Sequence, residues 1–496
     1  MLSLAPETLI LAALTIPLIG ACAIPLFHTA PNARESVTLI TAAALAMTVW
    51  SLVPHILAGG RPEAIDLEVV PGLRVAFAVE PLGLLFALVA STLWFVTSVY
   101  AIGYMRGNNE PRQTSFYVCF AVALWATIGI AFAKNLFTLF IFYEILTLST
   151  YPLVTHKASS EAIRAGRVYL LILIGTSMVF LLPAIAWTWL LAGTLDFTPG
   201  GILEGKATPL MIGLLLGLFA FGIGKAALMP IHFWLPAAMV APTPVSALLH
   251  AVAVVKAGVF TVVKVVVYIF GIETLAYEGA GSWLAYAAGF TVIAASLVAL
   301  RKDNLKARLA YSTVSQLSYV ILAAAILTPI SAVGAAMHIA AHAVSKITLF
   351  FAAGSIYTAA HKTEISELAG IGRRMPWTMG AFAIGAVSMI GLPPTVGFIG
   401  KWFMLSGAMQ TGQWLAVAVI ALSTVLNAAY FLPIIYTAFF ERETVAHAAG
   451  AAAADHDHGE APLPIVLALC FTALATVGLF LYPELPLSLA KMMVGE

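Results

Sequence analysis

The 496 residues of this chain are 61% hydrophobic and 9% charged, with a mean hydropathy of +0.99. This composition excludes a soluble globular domain and predicts an all-α polytopic membrane protein embedded in a lipid bilayer. The net charge of +1 comes from scattered Lys and Arg, which gives no basic patch for nucleic acid, and the three isolated cysteines give no disulfide or iron–sulfur pattern.

Apolar runs of about 20 residues, the length that crosses the hydrocarbon core, predict about fourteen transmembrane spans. They lie near residues 5–27, 36–58, 81–104, 114–132, 136–155, 166–192, 208–229, 243–270, 282–300, 308–326, 331–359, 377–406, 414–439 and 463–482. The whole chain, 1–496, is predicted to be a single membrane domain.

Within it we expect five parts. Residues 1–112 form a three-helix N-terminal part, whose loop 59–80 alternates in polarity and predicts an external β-hairpin. Two five-helix units, spans 4–8 and 9–13, follow at 113–270 and 282–440. Residues 441–462 are expected to be a flexible acidic and histidine-containing loop, and residues 463–496 the C-terminal helix.

The distribution of Lys and Arg predicts the orientation. Of the 24 basic residues, fourteen lie in loops after odd-numbered spans and five on the opposite side. Because basic loops stay in the cytoplasm, both termini are predicted on the non-cytoplasmic side of a plasma (bacterial inner) membrane.

The remaining five basic residues lie inside spans, and all five are lysine: Lys225, Lys256, Lys264, Lys346 and Lys401. An ammonium group at mid-bilayer costs roughly 2.5 to 3.5 kcal/mol on insertion scales, so such residues are functional candidates. Lysine can release its proton when it is buried, whereas arginine stays protonated. Glu144, the one acidic residue in the interior of a predicted span, is the expected partner of these lysines.

Prolines interrupt two of the predicted spans. Pro230 and Pro236 follow Lys225, while Pro393 and Pro394 precede Lys401. Broken helices in spans seven and twelve, in units that start on opposite sides of the membrane, are typical of inverted five-helix repeats that handle ions near the midplane.

Histidines lie between the lysines in the sequence. His250 precedes Lys256 by six residues, and His338, His342 and Lys346 follow one another at four-residue spacing on one helix face. Groups that titrate near neutrality, joined by water, predict a proton relay. A structural role and a zinc pair at HxxxH are the alternatives; His232 is a further candidate for the relay.

Two of these charged residues have a second interpretation. Lys264, near the end of span eight, is either part of the pathway or a side chain that reaches the membrane interface. Glu144 with one lysine is either a transfer pair or a static ion pair that holds helices together.

Four motifs carry a family resemblance. FYEIL around Glu144, GIGKAALMPIHFWLPAAMVAPTPVSALLHAVAVVKAG from Gly222, HIAAHAVSKITLFFAAG and GLPPTVGFIGKWF resemble the antiporter-like subunits of Mrp cation/proton antiporters, membrane-bound hydrogenases and respiratory complex I. The resemblance covers about spans three to thirteen. It implies a fourteen-helix fold with two inverted repeats and a central polar axis.

The resemblance also implies roles. Glu144 and Lys225 would be a coupled pair, Lys256 with His250 the bridge, Lys346 with His338 and His342 the second connection, and Lys401 the terminal lysine. We therefore expect a proton-translocating subunit of an Mrp-type (Na⁺/K⁺)/proton antiporter, with features of the D-type subunit, that works with other membrane subunits. A redox-driven pump of the complex I or hydrogenase type, and a structural subunit with an inert polar axis, are the alternatives. No cofactor, metal or enzymatic activity of its own is expected.

Overall fold

The computed structural model describes residues 4–277, 279–442 and 459–496, and of residues 249 and 250 it describes the backbone alone. Within these ranges, eleven helices are long and apolar enough to cross a membrane. The prediction of a helical polytopic membrane protein is therefore confirmed. Most of the loop expected at 441–462 is residues 443–458, which lie outside the described residues.

The N-terminal part contains four helices and a hairpin. The helices are α1 (Pro6–Ala23), α2 (Pro31–Ser51), α3 (Val53–Leu57) and α4 (Pro81–Gly107). Strands β1 (Glu63–Val70) and β2 (Leu73–Ala78) pair antiparallel between α3 and α4. Helices α1, α2 and α4 each begin with proline, whose missing N–H is unneeded in a first turn.

Residues 113–277, which cover the predicted first five-helix unit, contain nine helical segments, four of which π-helical turns join in pairs. They are α5 (Gln113–Ala131), α6 (Leu136–Val154), α7 (Ser160–Thr176), α8 (Leu182–Ala192), α9 (Pro209–Gly222), α10 (Trp234–Ala237), α11 (Thr243–Leu248), α12 (Val254–Val265) and α13 (Ile272–Tyr277). A π turn links α7 to α8, and another links α11 to α12. Between α9 and α10 the chain leaves α-helical geometry, as Pro230 and Pro236 predict.

The second unit consists of α14 (Ser282–Arg301), α15 (Leu305–Ala325), α16 (Pro329–Ala360), α17 (Ile371–Arg374), α18 (Pro376–Ile390), α19 (Val396–Gln410) and α20 (Trp414–Phe440). Helices α18 and α19 follow one another along α16. Thr378 bonds Ser355 and Ser388 bonds Ser345, while Gly400 of α19 packs on the backbone of His338. Residues 377–406 thus belong to one interrupted span, which breaks at 391–395 where Pro393 and Pro394 lie.

The C-terminal part differs from the prediction. Residues 463–496 form two helices, α21 (Leu463–Leu481) and α22 (Glu484–Met493), because Tyr482 and Pro483 end the first. The single helix expected there is therefore wrong. The number of fourteen spans and the inverted repeats stay predictions, since α9, α15, α18 and α19 are outside the eleven long apolar helices.

Backbone hydrogen bonds group the loops into two ends of the bundle. One end carries the β1–β2 hairpin and is called the hairpin face; there the Lys134 amide donates to the Ala76 carbonyl, and the Leu136 amide donates to the Leu195 carbonyl. The opposite end carries most of the basic loop residues and is called the basic face; there the Leu305 amide donates to the Thr363 carbonyl. Helix α16 and the span from 243 to 270 lie at the centre, and both are buried throughout their most apolar stretch.

Candidate functional site

Lys225 lies in the break between α9 and α10, in a short 3₁₀ turn. Its side chain is fully buried, and its Nζ donates to the Tyr143 carbonyl at 2.9 Å and to Thr147 Oγ1 at 2.6 Å. The ammonium also lies 3.1 Å from the centroid of the Tyr143 ring. The break approaches α12 so closely that a Cβ on Gly258 would lie 2.3 Å from the Lys225 backbone. Glycine is therefore required at 258.

Glu144 follows Tyr143 in the sequence, and the Tyr143 carbonyl accepts a hydrogen bond from Lys225. Both carboxylate oxygens are buried without a directed hydrogen bond, although the Ser177 hydroxyl lies beside them. The Glu144 carboxylate and the Lys225 ammonium act on each other electrostatically but form no ion pair within 4 Å. Lys225 is thus held by neutral acceptors, with a negative charge nearby.

Lys256 joins the two units. It is fully buried on α12, and its Nζ hydrogen-bonds His342 Nδ1 on α16. The side chain of His250, the expected companion of Lys256, lies outside the described residues. The direct contact between Lys256 and His342 is the connection between the polar groups of the first and second units.

From His342, two polar branches leave along α16. Towards the hairpin face, the His338 ring lies 6.2 Å from the His342 ring, and His338 Nε2 bonds Gln316 Oε1 at 2.8 Å. Towards the basic face, Lys346 Nζ donates to Ser312 Oγ at 2.8 Å. His338 is therefore linked through Gln316 to an acceptor of Lys401, whereas Lys346 bonds Ser312. Lys401 Nζ also donates to Thr424 Oγ1 on α20, at 3.4 Å. The expected series, in which Lys346 precedes Lys401, stays a prediction.

Lys401 binds the end of a helix. Its Nζ donates to the carbonyls of Met389 and Ile390, at 3.1 and 2.8 Å, where α18 ends. The last carbonyls of a helix have no intrahelical partner and carry partial negative charge. Gln316 Nε2 also donates to Met389 O, at 3.3 Å. The break at Pro393 and Pro394 thus exposes an acceptor that both His338, through Gln316, and Lys401 reach.

The sequence interpretation missed polar side chains on α15 and α20. Tyr430 donates to Ser312 at 3.1 Å and also bonds Asn427. The Asn427 amide nitrogen and the Ser423 hydroxyl are buried without a directed partner. Ser423, Asn427 and Tyr430 recur at helical spacing within an apolar helix, which is the signal that could have found them. They extend the Lys346 branch.

The two further candidates lie apart from this axis. His232 packs against Phe233 and Tyr311, and its Nδ1 has no directed partner. Lys264 is 1% exposed and forms an ion pair with Glu80 at the hairpin face. Among the residues that the structure describes, no group of three potential ligands would support zinc at the histidines.

Comparison with known proteins gives the family. The family described as NADH:quinone oxidoreductase/Mrp antiporter, TM, matches residues 133–427, which is more than half of the chain. The chain belongs to this family. The matched residues of the NADH:quinone oxidoreductase/Mrp antiporter family include Glu144 and all five buried lysines.

Relatives within the family come from different assemblies. The chain is 34% identical over 386 residues, 75% of its length and 74% of the relative, to NADH-quinone oxidoreductase subunit N of Desulforudis audaxviator. It is 31% identical over 371 residues to one of the Na⁺/H⁺ antiporter subunits of Alkalihalophilus pseudofirmus, covering 69% of this chain but 44% of that longer protein.

A solved structure matches nearly the whole chain. It is a chain of the Mrp complex from Dietzia sp. DQ12-45-1b, with a TM-score of 0.84, 21% identity, and coverage of 99% and 97% of the two chains. At that identity the similarity establishes the fold. The family is thus one of membrane ion-translocating subunits found in both antiporters and redox complexes.

Proposed function

We propose that this chain is the proton-translocating subunit of a multisubunit Mrp-type monovalent cation (Na⁺/K⁺)/proton antiporter, with D-type features. Protons move along Glu144, Lys225, Lys256, His342, His338 and Lys401, in a plasma (bacterial inner) membrane whose outer side is the hairpin face. The contact between Lys256 Nζ and His342 Nδ1 carries the proposal, because it links the titratable groups of both units.

The transfer is electrostatic. While Glu144 is near and ionised it favours the charged form of Lys225, and Lys225 releases its proton when that influence weakens. Its neutral acceptors, Tyr143 O and Thr147 Oγ1, leave the ammonium free to move without breaking an ion pair. Because these groups interact strongly, their titration belongs to the set and not to single residues.

The second candidate is a proton-pumping membrane subunit of a redox-driven complex. The 34% identity with a NADH-quinone oxidoreductase subunit N, over three quarters of both chains, favours it. In either case the other membrane subunits of the assembly are the expected partners.

Proteoliposomes that contain the complete assembly test both candidates. An antiporter should acidify or alkalinise the lumen on a Na⁺ or K⁺ pulse without an electron donor. Lys225→Ala should abolish that flux, while Lys491→Ala, at an exposed lysine of α22, should leave it unchanged. Flux that needs an electron donor and ignores the cations would support the redox pump, and full flux in Lys225→Ala would refute the pathway.

A further inference from the structure

A buried ion pair lies outside the axis, at the hairpin face. Lys264 Nζ, near the end of α12, is 2.8 Å from Glu80 Oε1 and donates to the Ala133 carbonyl at 2.8 Å. The contact with Glu80 is close but poorly directed for a hydrogen bond. Tyr268 lines the same cavity as this carboxylate. A carboxylate and a carbonyl therefore contact one positive charge, which also lies 4.2 Å from the centroid of the Phe197 ring and 5.4 Å from that of Phe260.

This oxygen cluster forms the inner wall of a cavity of about 220 Å³. Glu63 and Lys134 line the cavity and form an exposed ion pair, and Arg61 completes the wall. The Glu80 side chain is 14% exposed, whereas that of Lys264 is 1% exposed. The carboxylate is therefore accessible from the hairpin-face solvent, and the lysine reaches it from the protein interior.

The pair is separated from the axis. Lys264 is eight residues from Lys256, about 12 Å along a helix. Phe260 lies between them in sequence, and its ring packs against Phe86 in a tilted arrangement, with centroids 4.9 Å apart. The Lys264 site therefore faces the hairpin side, and the relay through Lys256 does not use it directly.

We propose that Glu80, the Ala133 carbonyl and the Tyr268 hydroxyl form a monovalent cation site in which the Lys264 ammonium and a Na⁺ or K⁺ ion exclude each other. The inference rests on the proposed antiporter function, because it names the cation site of that exchange. Carboxylate, carbonyl and hydroxyl oxygens are the ligands that hard cations prefer. When the Lys264 amine takes a proton from cavity water, its ammonium occupies the site and the metal ion leaves to the same cavity.

Charge conservation supports this exchange. With Lys264 protonated, the cavity wall holds three cations (Arg61, Lys134 and Lys264) and two carboxylates (Glu63 and Glu80). Loss of one proton and binding of one monovalent ion leave that total unchanged. Together with Tyr268, these are the titratable and charged groups that face the site among the described residues. Mutual exclusion of a proton and a cation is what coupled exchange requires.

Equilibrium binding to the purified assembly provides the test, with ²²Na⁺ and with ⁸⁶Rb⁺ in place of K⁺, over a pH series. If a proton competes with the ion, the apparent dissociation constant of the wild type should rise by up to about tenfold for each unit of decreasing pH. Lys264→Met should bind more tightly and lose this pH dependence. Glu80→Gln should weaken binding at least about tenfold, and Tyr268→Phe, a milder change, a few-fold. Lys134→Met, which removes a cation from the rim, should keep the wild-type pH dependence.

Binding and flux together separate this inference from the proposed function. Binding that depends on Glu80 and Lys264, in an assembly without cation-coupled flux, would support the site and reject the antiporter. Cation-coupled flux with binding that ignores Glu80→Gln, or with wild-type pH dependence in Lys264→Met, would reject the site alone. If Glu80→Gln or Lys264→Met fails to assemble on native gels, the binding of Tyr268→Phe decides. A few-fold weaker binding than wild type would support the site, and unchanged binding would reject it.

Discussion

In both five-helix units the second helix begins at an asparagine whose side chain caps it. Asn135 accepts from Thr138 N at 2.8 Å, and Asn304 accepts from Ala307 N at 3.0 Å. Each asparagine also forms an isolated β-bridge with a later loop of its own unit, at Asp196 and at Glu364. The two units therefore position the start of α6 and of α15 in the same way.

Beyond the cap, the two helices carry different side chains. Eight and twelve residues after the cap, α6 presents Tyr143 and Thr147 to Lys225, while α15 presents Ser312 to Lys346 and Gln316 to His338. Nine residues after the cap, α6 has Glu144, and α15 has Thr313, whose hydroxyl bonds its own helix.

This difference indicates separate roles for the units. Equivalent positions supply acceptors in both, but a carboxylate lies beside the axis in the first unit only, as far as the described residues show. In the second unit, Lys401 is held by the exposed carbonyls of α18. We infer that charge controls release in the first unit, and that helix-end acceptors guide the proton in the second.

Among the variants that test this comparison of the two units, the largest effect is expected at Glu144. Glu144→Ala should slow proton transport by at least about tenfold, because each tenfold step corresponds to about 1.4 kcal/mol of lost preference for charged Lys225. Proton flux in proteoliposomes of the complete assembly measures it. Glu144→Gln, which keeps the volume, should lose as much. Thr313→Ala is the matched control and should change the flux less than about twofold; an equal loss there would contradict the comparison.

Lys401→Arg separates binding from proton release. The guanidinium can still donate to the Met389 and Ile390 carbonyls but stays protonated. We expect thermal unfolding of the assembly close to wild type, with proton flux reduced by about tenfold. Lys401→Met should reduce both, because the end of α18 loses its cation. Wild-type flux in Lys401→Arg would show that Lys401 has only a structural role.

His338 and Lys346 lie on different branches from His342, which predicts that substitutions at these two residues of α16 slow proton transport unequally. His338→Ala, which removes the link towards Gln316 and Lys401, should slow transport by about five- to tenfold. Lys346→Met, on the other branch, should slow it by less than about threefold. Flux measured side by side decides, and a larger loss in Lys346→Met would support the series in which Lys346 precedes Lys401.

Tyr430→Phe should have the smallest effect. It removes the hydroxyl that joins Ser312 to Asn427, and a single buried hydrogen bond contributes about 0.5 to 1.5 kcal/mol. We expect a flux within about twofold of wild type and a slightly lower unfolding temperature. A loss as large as that of Glu144→Ala would instead place Tyr430 on the main pathway.

Much of the fold follows from the sequence, because hydrocarbon thickness fixes span length and proline fixes where helices break. The runs around Pro230 and Pro393 predicted interruptions that the structure contains. The end of α21 lies within one residue of the predicted span 463–482. The separate helix α22 was missed, since it is amphipathic and too short to cross a membrane.

The lysines of the candidate site were predictable from the sequence, but the contacts between residues on different helices were not. A lysine within an apolar run is conspicuous because its burial is costly, so Lys225, Lys256, Lys346 and Lys401 were found from sequence alone. Glu80 was not, because it precedes its helix and only the approach of α12 buries it with Lys264.

The sequence by itself determined the membrane environment, the breaks and the identity of the lysines buried within apolar runs, since each depends on local hydropathy and backbone chemistry. Only the tertiary structure decided that Lys256 meets His342, 86 positions away, and that Glu144 forms no ion pair with Lys225. It also decided that Gln316 bonds His338 and shares the Met389 carbonyl with Lys401. Such contacts join different helices, and hydropathy along the chain carries no information about which helix faces meet.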